Sequence, residues 1–527
     1  MNPLAGRVAG FTPAQWRVLT VALLAASAPL VVDSSSDYMM NGIQNSFGVS
    51  NAGRLKLTLA PRIASLIGVF VAGILTDALP WRRTLVAAAG VFLLGAATVS
   101  AAGGLPMLLL GQSMAGIGGI VLGVSGLAII GDRFKGPERA WAFSLWAVAA
   151  PAVYLVFPIA ASWIALLWNW RAVTLLWALV GMALVASAVR LTGGGAGTGG
   201  LRVRLVTPLL AGVVLASGVT AVNTAGDGAL LWAPCTAVAM AALLALGVLR
   251  LRARDRVPPL DLRVLRGQGS VMLVAAILLV QTASTLWYFT RVIFNRTYQL
   301  DDTSMALVVV PVQLSGVLGG WLGGWTMRRL GAPLAAILML VPAGSAALFP
   351  VFMDRATSLS VVVASMAVWH LLAVSAVVPV TAAFMRLAPE GGTGAASSTR
   401  IAVSVVGVTV GGVVVSSLVF AALGTSVSSS LQERGVPRAR ADAVGAALQN
   451  GLRVSDIPDV AGLSLTQLRG VLHSQGPVML EGKDRAYDTA GIVAMSVNLL
   501  AALMMFGFWR RTIRAGPLGA PSSNLKP

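Results

Sequence analysis

Residues 73–83 read Gly73-Ile74-Leu75-Thr76-Asp77-Ala78-Leu79-Pro80-Trp81-Arg82-Arg83, a polar break between two apolar runs at 57–77 and 84–103. A run of about 20 apolar residues has the length of a helix that crosses a hydrocarbon core. The break holds one carboxylate, a proline and two arginines, as expected of a short turn at a membrane surface. Outward from it the pattern repeats along the chain. Fourteen apolar spans fall near 15–37, 57–77, 84–103, 106–131, 140–163, 170–190, 205–223, 229–249, 270–290, 304–326, 333–352, 359–385, 398–423 and 488–509.

Composition agrees with this reading. Of 527 residues, 57% are hydrophobic and 11% charged, with a mean hydropathy of +0.82, whereas a water-soluble domain carries about 25% charged residues. Soluble enzymes and disordered chains are excluded on that ground. Continuous apolar stretches, rather than short alternating ones, exclude a membrane β-barrel. The net charge of +19 is no nucleic-acid footprint, because the basic residues sit in small groups between spans and not along one soluble face. The scarcity of lysine beside arginine, with abundant Ala, Gly and Val, fits a GC-rich bacterial genome. One cysteine, Cys235, lies in an apolar span and builds neither a disulfide nor a thiolate metal site.

Orientation follows from the arginine and lysine bias of the connections. Arg82 and Arg83, then Arg133, Lys135 and Arg139, then Arg190, Arg202 and Arg204, mark one side. The same side takes the group Arg250, Arg252, Arg254, Arg256, Arg263 and Arg266, then Arg328, Arg329, Arg386, Arg510, Arg511 and Arg514. That side is expected to be cytoplasmic, with both termini on it and the chain in a bacterial inner membrane. No cleavable signal peptide is expected, because the first run is too long and ends in DSSSDYMMN. Two connections differ from the rest: a glycine linker at 191–204, and a polar insert at 425–487 with helix-like stretches around 439–452 and 464–473.

Several motifs, taken in order, resemble those of the major facilitator superfamily. Residues 73–83 resemble its G-x-L-a-D-r-x-G-r-r loop, with Gly73, Asp77, Arg82 and Arg83 in place, Ala78 where the family has arginine and Pro80 where it has glycine. The aspartate of such a loop can cap a neighbouring helix end, and the resemblance implies a latch that holds the two halves outward-open. Asp33-Ser-Ser-Ser-Asp37-Tyr-Met-Met-Asn41 stands where the fourteen-helix drug:proton antiporters carry D-x-T-I-V-N. Leu110-Gly111-Gln112 and Gly116-Ile-Gly118-Gly119 resemble the fourth-helix motif, with Gln112 replacing its arginine. The fifth span keeps Pro151 and Pro158 of the antiporter motif but not its glycines. Asn169-Trp170-Arg171 matches the start of the sixth helix, and Gly324-Trp-Thr-Met-Arg328-Arg329-Leu-Gly331 repeats the first loop in degenerate form, as duplication of a six-helix unit entails.

The resemblance implies an all-α polytopic membrane protein of two six-helix bundles with an inserted helix pair. Its expected parts are a first bundle at 1–190, a linker, helix pair and basic loop at 191–267, five helices of the second bundle at 268–424, an extracytoplasmic loop domain at 425–487, and a last helix and tail at 488–527.

Charges within spans carry the functional expectation, since each costs about 2.5–3.5 kcal/mol at the bilayer centre on insertion scales. Asp33 and Asp37 lie one helical turn apart, where mutual repulsion is expected to favour proton uptake by one of them. They are the candidate proton carriers, the other reading being a pair at the external water boundary with Arg62 as structural counter-ion. Arg62, following Pro61, is a candidate partner for an aspartate or an anchor for an anionic substrate, and Pro61 is expected to break its helix. Gln281, Trp287, Tyr288, Gln313, His370 and Arg400 are candidate cavity residues; the first four equally suit core packing, and His370 a hydrogen-bonded packing role.

There is no phosphate-binding loop of the G-x-x-x-x-G-K-[ST] type. The two histidines, His370 and His473, are too far apart for a zinc pair, so neither a metal, a cofactor nor enzymatic chemistry is expected. The expected function is secondary export of an amphipathic small molecule or drug against proton entry. The alternative is a translocator or scaffold for a lipid or cell-envelope precursor, with 425–487 as a docking module for an external partner.

Overall fold

The computed structural model describes residues 11–49, 51–190, 205–224, 232–252, 268–284, 286, 300, 302–353, 357–388, 392–449 and 477–514. Among them there are helices and turns but no strand. The helices are α1 (Pro13–Phe47), α2 (Asn51–Ala78), α3 (Trp81–Ser100), α4 (Leu105–Arg133), α5 (Gly136–Leu167), α6 (Thr174–Val189), α7 (Val206–Thr224) and α8 (Trp232–Arg252). They continue as α9 (Gln268–Ala283), α10 (Asp302–Val308), α11 (Val310–Leu330), α12 (Ala332–Ala346), α13 (Leu359–Met385), α14 (Thr393–Glu433), α15 (Arg438–Gln449) and α16 (Pro477–Arg514). Eleven described helical stretches are long and apolar enough to cross a membrane. Shorter apolar helices at Val206–Val222, Pro234–Leu246 and Gly269–Ala283 stand where the seventh, eighth and ninth spans are expected.

The boundaries follow local chemistry. Thr12 opens α1 with a reciprocal cap: its hydroxyl accepts from the Gln15 amide at 3.2 Å, and the Gln15 side chain accepts from the Thr12 amide at 2.8 Å. Gly48 closes it in the left-handed region at φ 63°, where a side chain would be strained. Pro80 separates α2 from α3. Pro61, expected to break α2, does not: the helix runs on through it, and the Ser65 hydroxyl donates to the Pro61 carbonyl at 2.8 Å and to Gly116 O at 3.0 Å.

In the first bundle α1 packs on α4, α5 and α6, and α3 on α4 and α6. In the second, α13 packs on α11 and α12, while α16 packs on α9, α12 and α14. Two seams join the bundles, α2 against α14 and α5 against α11. The hairpin of α7 and α8 docks through α7 onto α2 and the flank of α14.

Large apolar side chains such as Leu94, Leu166, Leu179, Leu244 and Leu503 are exposed. So many exceed the apolar patches of a soluble monomer and suit a lipid-facing surface. Polar groups inside are paired instead. The indole N–H of buried Trp177 on α6 donates to Ser35 Oγ on α1 at 2.8 Å. Ser35→Ala leaves that N–H buried without an acceptor and should cost about 1–3 kcal/mol, read as a lower melting temperature with helix content retained.

Two elements outrun the expected domain limits. α14 continues past residue 424 to Glu433, and α16 starts at Pro477, before residue 488. Two of the serines at 426–430 bond within the helix or to α15, which suits a helix: Ser429 Oγ donates to Ser426 O at 2.9 Å and Ser428 Oγ to Asp442 Oδ1 at 2.7 Å. α15 answers the expected helix around 439–452. The stretch 464–473, the linker 191–204 and most of the basic group after α8 lie outside the described residues.

Candidate functional site

Asp33 sits near the middle of α1, about 30 Å along the helix from its start at 1.5 Å per residue. Its carboxylate is held from two sides. Arg62 of α2 donates from Nη2 to Oδ1 at 3.3 Å, and Tyr154 of α5 donates from its hydroxyl to Oδ2 at 2.5 Å. α2 and α5 also pack on the second bundle, against α14 and α11 respectively, so the cluster ties α1 to two helices of the bundle interface. The Arg62 and Asp33 side chains are nevertheless 67% and 47% exposed. Intramembrane charge is tolerated where it faces a water-filled cavity, and the exposure of this pair fits such a setting. Asp37, one turn further along α1, is half-buried.

At the arginine-rich end the bundles close on each other. Asp77, at the end of α2, accepts from the backbone amides of Gly394 at 2.7 Å and Ala395 at 2.9 Å. The N-cap residue of α14, Gly392, supplies no capping side chain, so a carboxylate from the opposite bundle satisfies that helix's free N–H groups and complements its dipole. Gly73, one turn back, makes the approach feasible: a Cβ there would lie 2.8 Å from Gly394 O and 2.9 Å from Ser398 Cβ. Arg82 and Arg83 are exposed at the start of α3, outside this contact.

The second seam repeats the geometry with different chemistry. Gly324 of α11 crosses Ser144 of α5 as Gly73 crosses Ser398. One turn on, where the first loop has Asp77, stands Arg328, whose guanidinium lies 3.7 Å from the centre of the Trp141 ring. This end is thus shut by an acid–amide contact on one seam and a cation–π contact on the other. Arg139 Nη2 adds a bond to Met385 O at 2.7 Å. Trp141→Ala should weaken closure by about 0.5–2 kcal/mol, a severalfold rise in alkylation of a cysteine placed at Lys135.

The remaining expected residues divide. Gln112 is buried, and its side-chain carbonyl has no hydrogen-bond partner. Gly116 is a close-contact position, a Cβ there falling 2.6 Å from Pro61 O. Pro151 packs on Gly316 of α11, and Pro158 is buried in α5. Gln313 is buried on α11, and Gln281 is half-buried near the end of α9, beside Gly407 of α14. The His370 ring bonds Val312 O through Nδ1 at 2.8 Å, tying α13 to α11. Arg400 is buried, donates to Thr381 Oγ1 at 3.1 Å and stacks on Trp146 at 4.8 Å. Trp287 and Tyr288 lie outside the described residues. Sequence reasoning missed Tyr154, Trp141, Trp146 and Arg139. Tyr154 lies between Pro151 and Pro158, so the eroded fifth-helix motif was the available signal.

Residues 18–412 match the family model of the Major Facilitator Superfamily. Among solved structures, the human organic anion transporter MFSD10 (TETRAN) is similar at a TM-score of 0.60 and 13% identity, over 94% of this chain and 100% of that one. A bacterial homologue of the iron transporter ferroportin, in an outward-facing state, gives 0.53 and 13% over 94% and 100%. The E. coli fucose:proton symporter gives 0.53 and 11% over 93% and 99%. At these identities the likeness concerns the fold alone. No curated protein sequence matches the chain.

Proposed function

The chain belongs to the major facilitator superfamily, and from that premise we propose that it is a proton-coupled exporter of an amphipathic small molecule, crossing a bacterial inner membrane fourteen times and working by alternating access. The observation that carries this reading is the Asp33 carboxylate on α1, held by Arg62 and Tyr154 and half exposed, while the arginine-rich end is shut at Asp77. With that end in the cytoplasm, the conformation is outward-facing.

In this state Asp33 takes a proton from outside. Neutralised, it loses the attraction of Arg62 and becomes a poorer acceptor for Tyr154, so α1, α2 and α5 are freed to shift. The Asp77 and Arg328 contacts then part, and the proton leaves to the cytoplasm as substrate binds. Each proton entering contributes about 2.3 kcal/mol per 100 mV. The test uses inverted membrane vesicles with an acid interior and a panel of fluorescent amphiphiles. Uptake that an uncoupler abolishes supports the reading; uptake indifferent to the gradient for every compound contradicts it.

A second reading draws on α14, which at 41 residues extends about 60 Å, roughly twice a hydrocarbon core. Its far end carries α15, and such a projection suits a docking module for an external partner. Deletion of 434–476 that abolishes function with D33N harmless would favour it.

A further inference from the structure

Arg400 is a charge without a counter-charge. It lies two turns inside α14, 9% exposed, with Nη2 on Thr381 of α13 and the guanidinium face over Trp146 of α5. Its Nε has no hydrogen-bond partner, and among the described residues it forms no ion pair. One hydroxyl and one ring face offset only part of the desolvation cost of a buried guanidinium, and a second state that supplies an anion would relieve the rest. What would relieve it is legible in the donor set. Nε and a terminal nitrogen form the planar fork that accepts a carboxylate through two parallel bonds, and the Thr381 hydroxyl adds a third polar group. The three side chains come from both bundles. Trp146 belongs to the first and Arg400 to the second, so the movement that parts the bundles at the arginine-rich end lifts the indole off the guanidinium.

We propose that Arg400 and Thr381 form the anchor for a carboxylate group of the exported compound, uncovered to the cytoplasm when α5 separates from α14 and reclaimed by Trp146 on closure. The substrate class is then an amphipathic carboxylic acid, its apolar body facing the aromatic wall of α5. Closure returns the indole to the guanidinium face and releases the anion outward. This inference rests on the exporter reading but is tested without transport.

The probes are dansylglycine and its uncharged amide, titrated by fluorescence into purified full-length protein in nanodiscs. The acid should bind at least tenfold tighter than the amide, and tighter again in Asp77→Asn, which loosens the closed end. Arg400→Gln should erase the preference in both backgrounds, and Arg400→Lys should restore part of it. A misfolding explanation is separable: Arg400→Gln should keep its helix content and bind the uncharged amide as the native protein does, whereas a misfolded variant would lose both. Acid and amide binding alike to the native protein and to Asp77→Asn, or a preference surviving Arg400→Gln, overturns the proposal. Either result leaves the vesicle gradient experiment to judge the exporter reading separately.

Discussion

Asp33→Asn is expected to abolish gradient-driven uptake into inverted vesicles while leaving substrate exchange at equal concentrations intact. Asparagine is uncharged at every pH, so it mimics the protonated carboxyl permanently. It forfeits the 3.3 Å ion pair with Arg62 and weakens the bond from Tyr154. The exposed ion pair is worth about 0–1 kcal/mol after screening and the Tyr154 bond to the charged carboxylate about 1.5–3 kcal/mol; a combined loss of about 3 kcal/mol shifts a two-state population on the order of a hundredfold. Exchange survives because the loaded carrier still alternates; only the proton has no site. Tyr154→Phe removes one of the two partners and should reduce driven uptake by about tenfold. Parallel loss of exchange in Asp33→Asn would instead mark Asp33 as a structural counter-ion of Arg62.

The second large effect is expected at a residue with no side chain. Gly73→Leu places a branched side chain where even a Cβ falls 2.8 Å from Gly394 O. α2 and α14 must then separate, and the Asp77 carboxylate leaves the amides of Gly394 and Ala395. Overpacking costs about 1–3 kcal/mol, and the lost charge-assisted bonds add to it, all charged to the closed state alone. The closed population should fall on the order of a hundredfold. Driven uptake disappears, and cysteines at the arginine-rich end become rapidly alkylated. Gly73→Ala, smaller but still in conflict, should fall between. Native labelling rates in Gly73→Leu would show that this crossing does not gate the end.

These residues also show how far the sequence reaches. Spans, side and family are legible because hydrophobic run length, arginine placement and motif order are all local signals. The cap at Asp77 is legible as a carboxylate in search of a helix end, but not its partner, which stands 318 positions later at Ala395. Arg62 beside Asp33 follows from the expense of charge in lipid. Tyr154 does not, because one tyrosine in an apolar helix reads as packing until the fold brings α5 against α1. Trp141 and Trp146 look like interfacial aromatics, and only the packing of α5 on α11 and α13 brings Arg328 and Arg400 over their rings. The length of α14 was hidden for another reason: a serine-rich stretch reads as loop unless α15 is known to cover it.

The central claim, that opening alternates between the two ends under control of Asp33, is tested most directly by spin-label distances. In a Cys235→Ser background, one label pair at Lys135 and Arg386 spans the arginine-rich end, and a second at Trp168 and Phe352 spans the other. Passing from native protein to Asp33→Asn, the first distance should lengthen as the second shortens. Two distributions that stay fixed, or that move in the same direction, would contradict the account.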